Sequence, residues 1–125
     1  MHPMPLTEPP PPPDSLPEAA RAYWEATTRE LVAMGTLLPV MLPVVAIYCR
    51  ELARHDEIAR LNDELLPILN FAAREGRPTR NPYERALVLC ANSVRQLAAE
   101  LQITPRSASR RRQPRRQAHD PWETF

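Results

Sequence analysis

The chain has 125 residues, with 16 basic residues against 15 acidic ones and a net charge of +1. This length suits one small domain, and a hydrophobic share of 43% is ordinary for a globular protein. The two glycines, Gly35 and Gly76, are too far apart for the phosphate loop of nucleotide hydrolases, and no uninterrupted apolar run predicts a signal peptide or a membrane span.

The charge is unevenly distributed along the chain. Residues 1–100 hold ten arginines and thirteen acidic residues, whereas residues 101–125 hold six arginines and two acidic residues. A near-neutral body with a basic end indicates a polyanionic partner. Every basic residue is arginine, which binds phosphate and guanine in a bidentate manner, although a GC-rich genome produces the same bias.

The first 35 residues predict an arm followed by a helix. Residues 1–14 contain seven prolines and are predicted to be a disordered, polyproline-like arm, either a spacer or an SH3-type ligand. Ser15 and Glu18 have the spacing of a capping box, which predicts a helix that starts there and ends at Gly35. Trp24 is predicted to anchor this helix in the core.

A long second helix is predicted from Val40 to Leu66, with Pro67 ending it. Its apolar residues form two stripes, which indicates two packing partners. One partner is expected in the same chain and the other in a neighbouring copy, although a central helix of a monomeric bundle has the same pattern. The stripe assigned to the neighbouring copy consists of Val44, Ile47, Ile58, Leu61 and Leu65.

A third helix is predicted after Asn81 and Pro82, which suit the N-cap and first helical positions. Its seam of Leu87, Cys90, Val94, Leu97 and Leu101 has steps of three and four, typical of one arm of a helical hairpin. The predicted fold is therefore all-α, a long hairpin with an accessory N-terminal helix. Residues 15–105 form the predicted helical oligomerisation domain, and residues 106–125 form a basic tail with an acidic and aromatic end.

The order of these parts resembles the small subunit of the phage DNA-packaging terminase. The resemblance covers about residues 14–112, and its most specific parts are "NP" at 81–82 and "LQITPRSASR" at 101–110. It resembles the branch whose domain usually ends in Leu-Gly-Leu-Thr-Pro-Ser-Ser-Arg. Gln102 stands in place of the usual glycine, and Arg106 begins a shifted arginine register.

The resemblance implies a protein that is not an enzyme. Such subunits assemble into homo-oligomeric rings, bind double-stranded viral DNA at the packaging-initiation site, and recruit and regulate the large subunit, which holds the ATPase and nuclease. The resemblance implies a phage or prophage protein in the host bacterial cytoplasm, absent from the mature virion and without a membrane partner. The basic tail is then the predicted DNA-binding element, through Arg106, Arg110, Arg111, Arg112, Arg115 and Arg116.

Two smaller features have open interpretations. Trp122 and Phe125 in "DPWETF" are a candidate anchor for the large subunit, or fold back onto their own domain. Arg77 and Arg80, in the loop before the third helix, are candidates for further DNA contacts. No catalytic residue, metal ligand or cofactor site is expected, and Cys49 and Cys90 are predicted to be reduced core thiols.

Two other classes of protein fit parts of the sequence. A small helical DNA-binding regulator would place a helix-turn-helix around Gly35, but the "LLPVMLPVVAIY" that follows is too apolar to face a DNA groove. A helical adaptor without any DNA role would leave the arginine-rich tail inert.

Overall fold

A computed structural model of the chain describes residues 4–103. It contains three α-helices: α1 is Glu18–Ala33, α2 is Leu42–Arg74 and α3 is Tyr83–Glu100. A 3₁₀ turn, Pro39–Met41, leads directly into α2. The described range holds no β-strand, which confirms the all-α prediction. α2 packs against both other helices, and most extensively against α3, so the predicted hairpin and accessory helix are present.

The core lies around the first half of α2. It combines buried residues of the segment before α1, of α1 itself, of the α1–α2 connection, of α2, and of the residue that follows α3. Because the end of α3 and the start of α2 meet here, the core fixes one end of the hairpin. Its buried members are Leu16, Ala20, Trp24, Leu31, Leu37, Val45, Cys49 and Leu101.

One face of α1 supplies much of this core. Ala20, Trp24, Thr28 and Leu31 follow each other at steps of three or four and are all buried. The Thr28 hydroxyl donates a hydrogen bond to the Trp24 carbonyl oxygen at 2.8 Å, so this buried polar group is satisfied. Trp24 is 2% exposed, which confirms its predicted role as a core anchor.

The start of α1 differs from the prediction. The helix begins at Glu18 with Pro17 at the N-cap and no side-chain cap, so the capping box predicted from Ser15 is wrong. Ser15 lies in a turn, where its carbonyl oxygen accepts a hydrogen bond from the Arg50 guanidinium at 2.8 Å. This turn places Leu16 in the core, and burying that side chain stabilises the fold by more than one cap hydrogen bond does.

The prediction of a disordered arm is wrong for residues 4–14. The Leu6 N–H donates to the Leu37 carbonyl oxygen at 2.7 Å, and the Leu6 side chain packs against the core. The Trp24 indole N–H donates to the Pro10 carbonyl oxygen at 2.9 Å. Prolines have no N–H that needs a partner, and their carbonyl oxygens remain available as acceptors. A polyproline segment can therefore pack along the edge of a tryptophan ring and accept the hydrogen bond of its indole N–H.

α2 is longer than predicted, because it continues past Pro67 to Arg74 instead of ending at Leu66. A proline inside a helix removes one backbone hydrogen bond and costs about 3 kcal/mol. The turns that follow bury part of Leu69 and Ala72. Packing along the hairpin therefore offsets the local cost of Pro67.

All three α-helices of the described range end in the same backbone motif. The residue after each C-cap has a positive φ, 71° at Gly35, 80° at Gly76 and 58° at Gln102. The next N–H then bonds back into the last turn, as Thr36 does to the Leu31 carbonyl oxygen at 3.1 Å. Gln102 adopts the left-handed conformation that glycine adopts without strain, and this costs about 1 kcal/mol of conformational free energy for a residue with a side chain.

The start of α3 is fixed by one side chain. Asn81, just before the N-cap Pro82, accepts a hydrogen bond at its Oδ1 from the Tyr83 N–H at 2.8 Å, which satisfies the first N–H of the helix. Asn81 Nδ2 also donates to Asn62 Oδ1 on α2 at 2.6 Å. The loop between α2 and α3 is thus attached to both helices. The N-cap of α3 is Pro82, so the N-cap predicted at Asn81 is one residue too early.

Candidate interaction surfaces

The second half of α2 is only partly covered. The structure describes all of α2, and its buried residues, Val45 and Cys49, both lie in the first half. α1 covers that first half, where the Tyr23 hydroxyl donates a hydrogen bond to the Asp56 carboxylate. This hydrogen bond is the largest of the effects that raise the pKa of Tyr23 above its ordinary value. From Arg50 onward the apolar side chains of α2 are at most partly buried, so the hairpin extends beyond the core.

The five residues predicted to contact a neighbouring copy differ in burial. Val44 is partly buried and packs against the core of its own chain. Ile47 is 50% exposed. Ile58, Leu61 and Leu65 are partly buried. Four of the five therefore keep apolar surface outside the core cluster, with Ile47 the most accessible.

Further exposed apolar side chains extend the surface of the hairpin. Ile68 is 64% exposed and Phe71 is 54% exposed, both on the part of α2 beyond Pro67. On α3, Val88 is 59% exposed and Leu89 is 51% exposed. The sequence prediction missed Ile68 and Phe71 because it ended α2 at Pro67. Val88 and Leu89 fall between the seam positions of α3.

A groove runs between α2 and α3 on one side of the hairpin. Its walls include Ile47 and Glu51 of α2 and Ser93 and Leu97 of α3. The groove continues past Leu89 toward the start of α3. Its lining is mixed, with an apolar side chain near each end and polar groups between them. This composition suits a protein–protein contact better than a small-molecule pocket.

The two cysteines are buried, free thiols, as predicted. Burial raises the pKa of Cys49 to about 11. Burial is also the main cause that raises the pKa of Cys90, and the nearby Glu51 adds to it. The Cys90 thiol donates to the Glu51 backbone carbonyl oxygen at 3.2 Å, which joins α3 to α2. Both sulfurs are protonated at neutral pH, so neither is an activated nucleophile.

The described residues provide neither a metal site nor a membrane-crossing helix. Residues 4–103 contain no group of three or more His, Cys, Asp or Glu side chains placed to hold an ion. Within the same range, none of the helices combines the length and apolar character needed to cross a bilayer.

The last part of the described chain, after α3, packs against the core. Leu101 is 1% exposed, and Ile103 packs against the same cluster. The Ile103 N–H donates to the Ala98 carbonyl oxygen at 2.9 Å, which closes the turn after α3. The arginine-rich segment of the sequence therefore follows a residue fixed at the core end of the hairpin.

Comparison with known proteins identifies the family. The family model described as "Phage terminase, small subunit" matches residues 20–118, most of the chain. This chain belongs to that family. No curated protein and no solved structure matches the chain significantly.

Terminase small subunits are in general regulatory and DNA-recognition subunits of phage DNA packaging. The family match covers α1 from Ala20 onward, α2, α3 and the arginine-rich segment that follows them in the sequence. The six arginines predicted to bind DNA lie outside the described residues, and so do Trp122 and Phe125. Those arginines are Arg106, Arg110, Arg111, Arg112, Arg115 and Arg116.

The alternative of a helix-turn-helix around Gly35 does not suit this terminase chain. Leu37, directly after that turn, is fully buried, and Val45 in the first turn of α2 is fully buried as well. A recognition helix presents polar side chains to the edges of the bases. The helix after Gly35 instead inserts its first apolar residues into the core.

Proposed function

We propose that this chain is the DNA-recognition subunit of a phage packaging terminase. It binds viral DNA at the packaging-initiation site as a ring-shaped homo-oligomer, and it recruits and regulates the large subunit that carries the ATPase and nuclease. The observation that carries the proposal is the family match over residues 20–118, which joins the helical hairpin and the arginine-rich segment in one unit.

DNA binding is assigned to the six arginines between positions 106 and 116. Phosphate contacts from arginine supply sequence-independent affinity and hold the protein in register on a duplex. The body of the protein is acidic, with ten arginines and thirteen acidic residues before position 101. This slight excess of negative charge gives no attraction to DNA, so the basic segment sets the orientation of approach.

Assembly is assigned to the apolar stripe of α2 that runs from Val44 to Leu65. A ring of identical subunits gives each copy two neighbours. Because α2 has no buried residue beyond Cys49, a neighbouring copy is assigned to bury the apolar side chains there. The interface is centred on Ile47, Ile58, Leu61 and Leu65. Val44 lies at its edge because it also packs on the core of its own chain.

Contact with the large subunit is assigned to the end of the chain, through Trp122 and Phe125. Aromatic side chains near a chain end are effective anchors, because they bury a large area at a small cost in conformational entropy. The subunit itself acts without catalytic residues or a cofactor, in the cytoplasm of the host bacterium.

Binding of the full chain to a duplex of about thirty base pairs at increasing salt concentrations tests this function. Six phosphate contacts predict a log–log slope of affinity against salt of about −5. A helical adaptor without a DNA role would show no binding even at low salt, and that result would overturn the proposal. Fluorescence anisotropy with an end-labelled duplex measures both outcomes.

A further inference from the structure

The loop that joins α2 to α3, together with the helix ends on either side of it, carries a second basic cluster, which we call the loop arginines: Arg74, Arg77, Arg80 and Arg85. All four are exposed. Residues 74–85 hold these four arginines and two acidic residues, whereas residues 4–73 hold five arginines and ten acidic residues. The tip of the hairpin is therefore a positive region on an acidic body.

Three arginines elsewhere in the described chain, Arg21, Arg54 and Arg60, form ion pairs within their own helix. Arg60 forms ion pairs with Glu57 and Glu64, each at 2.6 Å. Arg54 pairs with Glu51 at 3.8 Å. Among residues 4–103, none of the loop arginines lies within 4.0 Å of a carboxylate oxygen. Their guanidinium groups are exposed and form no ion pair within residues 4–103, so they are available to an external anion.

The backbone of the loop is held in place at both ends. Gly76, with φ of 80°, turns the chain out of α2, and the Arg77 N–H donates to the Ala72 carbonyl oxygen at 2.8 Å. At the other end, Asn81 joins the loop to Asn62 of α2 at 2.6 Å. Arg77 and Arg80 thus extend from a fixed backbone, which lowers the entropy cost of placing their guanidinium groups on a partner.

The cluster lies at the end of α3 opposite to Leu101 and Ile103. Eighteen residues of α3 separate the two ends, which is about 27 Å at the rise of an α-helix. Along a duplex this distance corresponds to about eight phosphates of one strand. One copy is therefore long enough to contact the same duplex at both ends of its hairpin.

We propose that the loop arginines, with Arg77 and Arg80 at their centre, form a second contact with DNA phosphates, distinct from the basic segment after α3. The proposal rests on the DNA-binding function proposed above, and it adds a contact at the far end of the hairpin. The contact reads no bases. It fixes the direction of the hairpin relative to the duplex axis.

The test compares two matched double variants of the full chain on the same thirty-base-pair duplex. R77Q/R80Q removes two charges from the tip, and R54Q/R60Q removes two charges from the body. R77Q/R80Q is expected to reduce the size of the salt slope by about 1.8 and to weaken binding at 0.1 M salt by about tenfold or more. R54Q/R60Q is expected to keep the slope of the unmodified protein. Circular dichroism melting verifies that both variants are folded. R77Q/R80Q is expected to keep the fold, because the hydrogen bond from Arg77 to Ala72 uses the backbone N–H of Arg77 and not its side chain.

Three results would overturn the proposal. Unchanged affinity and slope in R77Q/R80Q would leave the basic segment after α3 as the DNA contact, and would direct the search for a partner of the loop to an acidic protein surface. Equal losses in both double variants would show an effect of net charge alone. Absence of binding by the unmodified protein would overturn the proposed function as well, so the two failures are distinguishable.

Discussion

Replacing Trp24 by alanine is expected to lower the free energy of unfolding by about 3–5 kcal/mol. The side chain is 2% exposed and lies in the cluster that joins α1, α2 and the end of α3. Its removal leaves a cavity at the centre of a small core and frees the Pro10 carbonyl oxygen from its indole partner. Urea denaturation followed by circular dichroism measures the change.

Two further substitutions separate the contributions of Trp24. Trp24→Phe keeps an aromatic ring but loses the hydrogen bond to Pro10, and we expect a smaller loss of about 1–2 kcal/mol. Val40→Ala is the control for a truncated apolar side chain, because Val40 is 76% exposed and its loss is expected to stay within about 0.5 kcal/mol. A loss for Trp24→Ala no larger than that for Val40→Ala would contradict the described core.

Neutralising the six arginines between positions 106 and 116 is expected to reduce DNA affinity by about a thousandfold at low salt. The physical reason is counterion release, because each arginine placed on a phosphate frees condensed cations from the duplex. A variant with all six changed to glutamine should lose most of the salt slope and keep only the share contributed by the loop arginines. Because the substitutions lie after the last described residue, Ile103, the melting temperature of the helical domain is expected to change little.

A shuffled version of residues 106–116 is the matched control for this variant. It keeps the composition and charge of the segment but alters the order of its residues. Counterion release depends on the number of arginines placed on phosphates, which shuffling leaves unchanged, so the shuffled protein is expected to bind non-specific duplex as the unmodified protein does. Affinity that survives the change to glutamine would place the DNA-binding surface in the helical domain instead.

The helices and their core were predictable because each rests on a local and periodic signal. Trp24 was predicted as the core anchor of α1, and the heptad seam of α3 predicted the hairpin. Gly35 marked the end of α1 because a left-handed residue favours glycine. Asn81 marked the start of α3 because a short polar side chain can satisfy a free N–H there.

The differences arose where a tertiary contact outweighed a local preference. Pro67 predicted a helix end, but packing along the hairpin carries α2 through it. Ser15 matched a capping pattern, yet the burial of Leu16 decides the turn before α1. The proline-rich composition predicted a disordered arm, although residues 4–14 are joined to the core through Leu6 and Pro10.

The candidate surfaces were harder to predict than the fold. Of the exposed apolar residues of α2, Ile47 was found by its helical spacing, whereas Phe71 was missed with the rest of α2 beyond Pro67. The loop arginines stood out in the sequence only as Arg77 and Arg80. Their lack of carboxylate partners within residues 4–103 depends on how α2 and α3 come together, which no local pattern encodes.

We expect the exposed hairpin to assemble copies of this chain into a ring that presents its arginines to DNA. Multi-angle light scattering on the nuclease-treated protein measures the number of copies in the assembly. One uniform species of many times the chain mass of 14.3 kDa is the predicted result. A species of one or two chain masses at all concentrations tested would contradict the ring and leave the second half of α2 without its proposed partner.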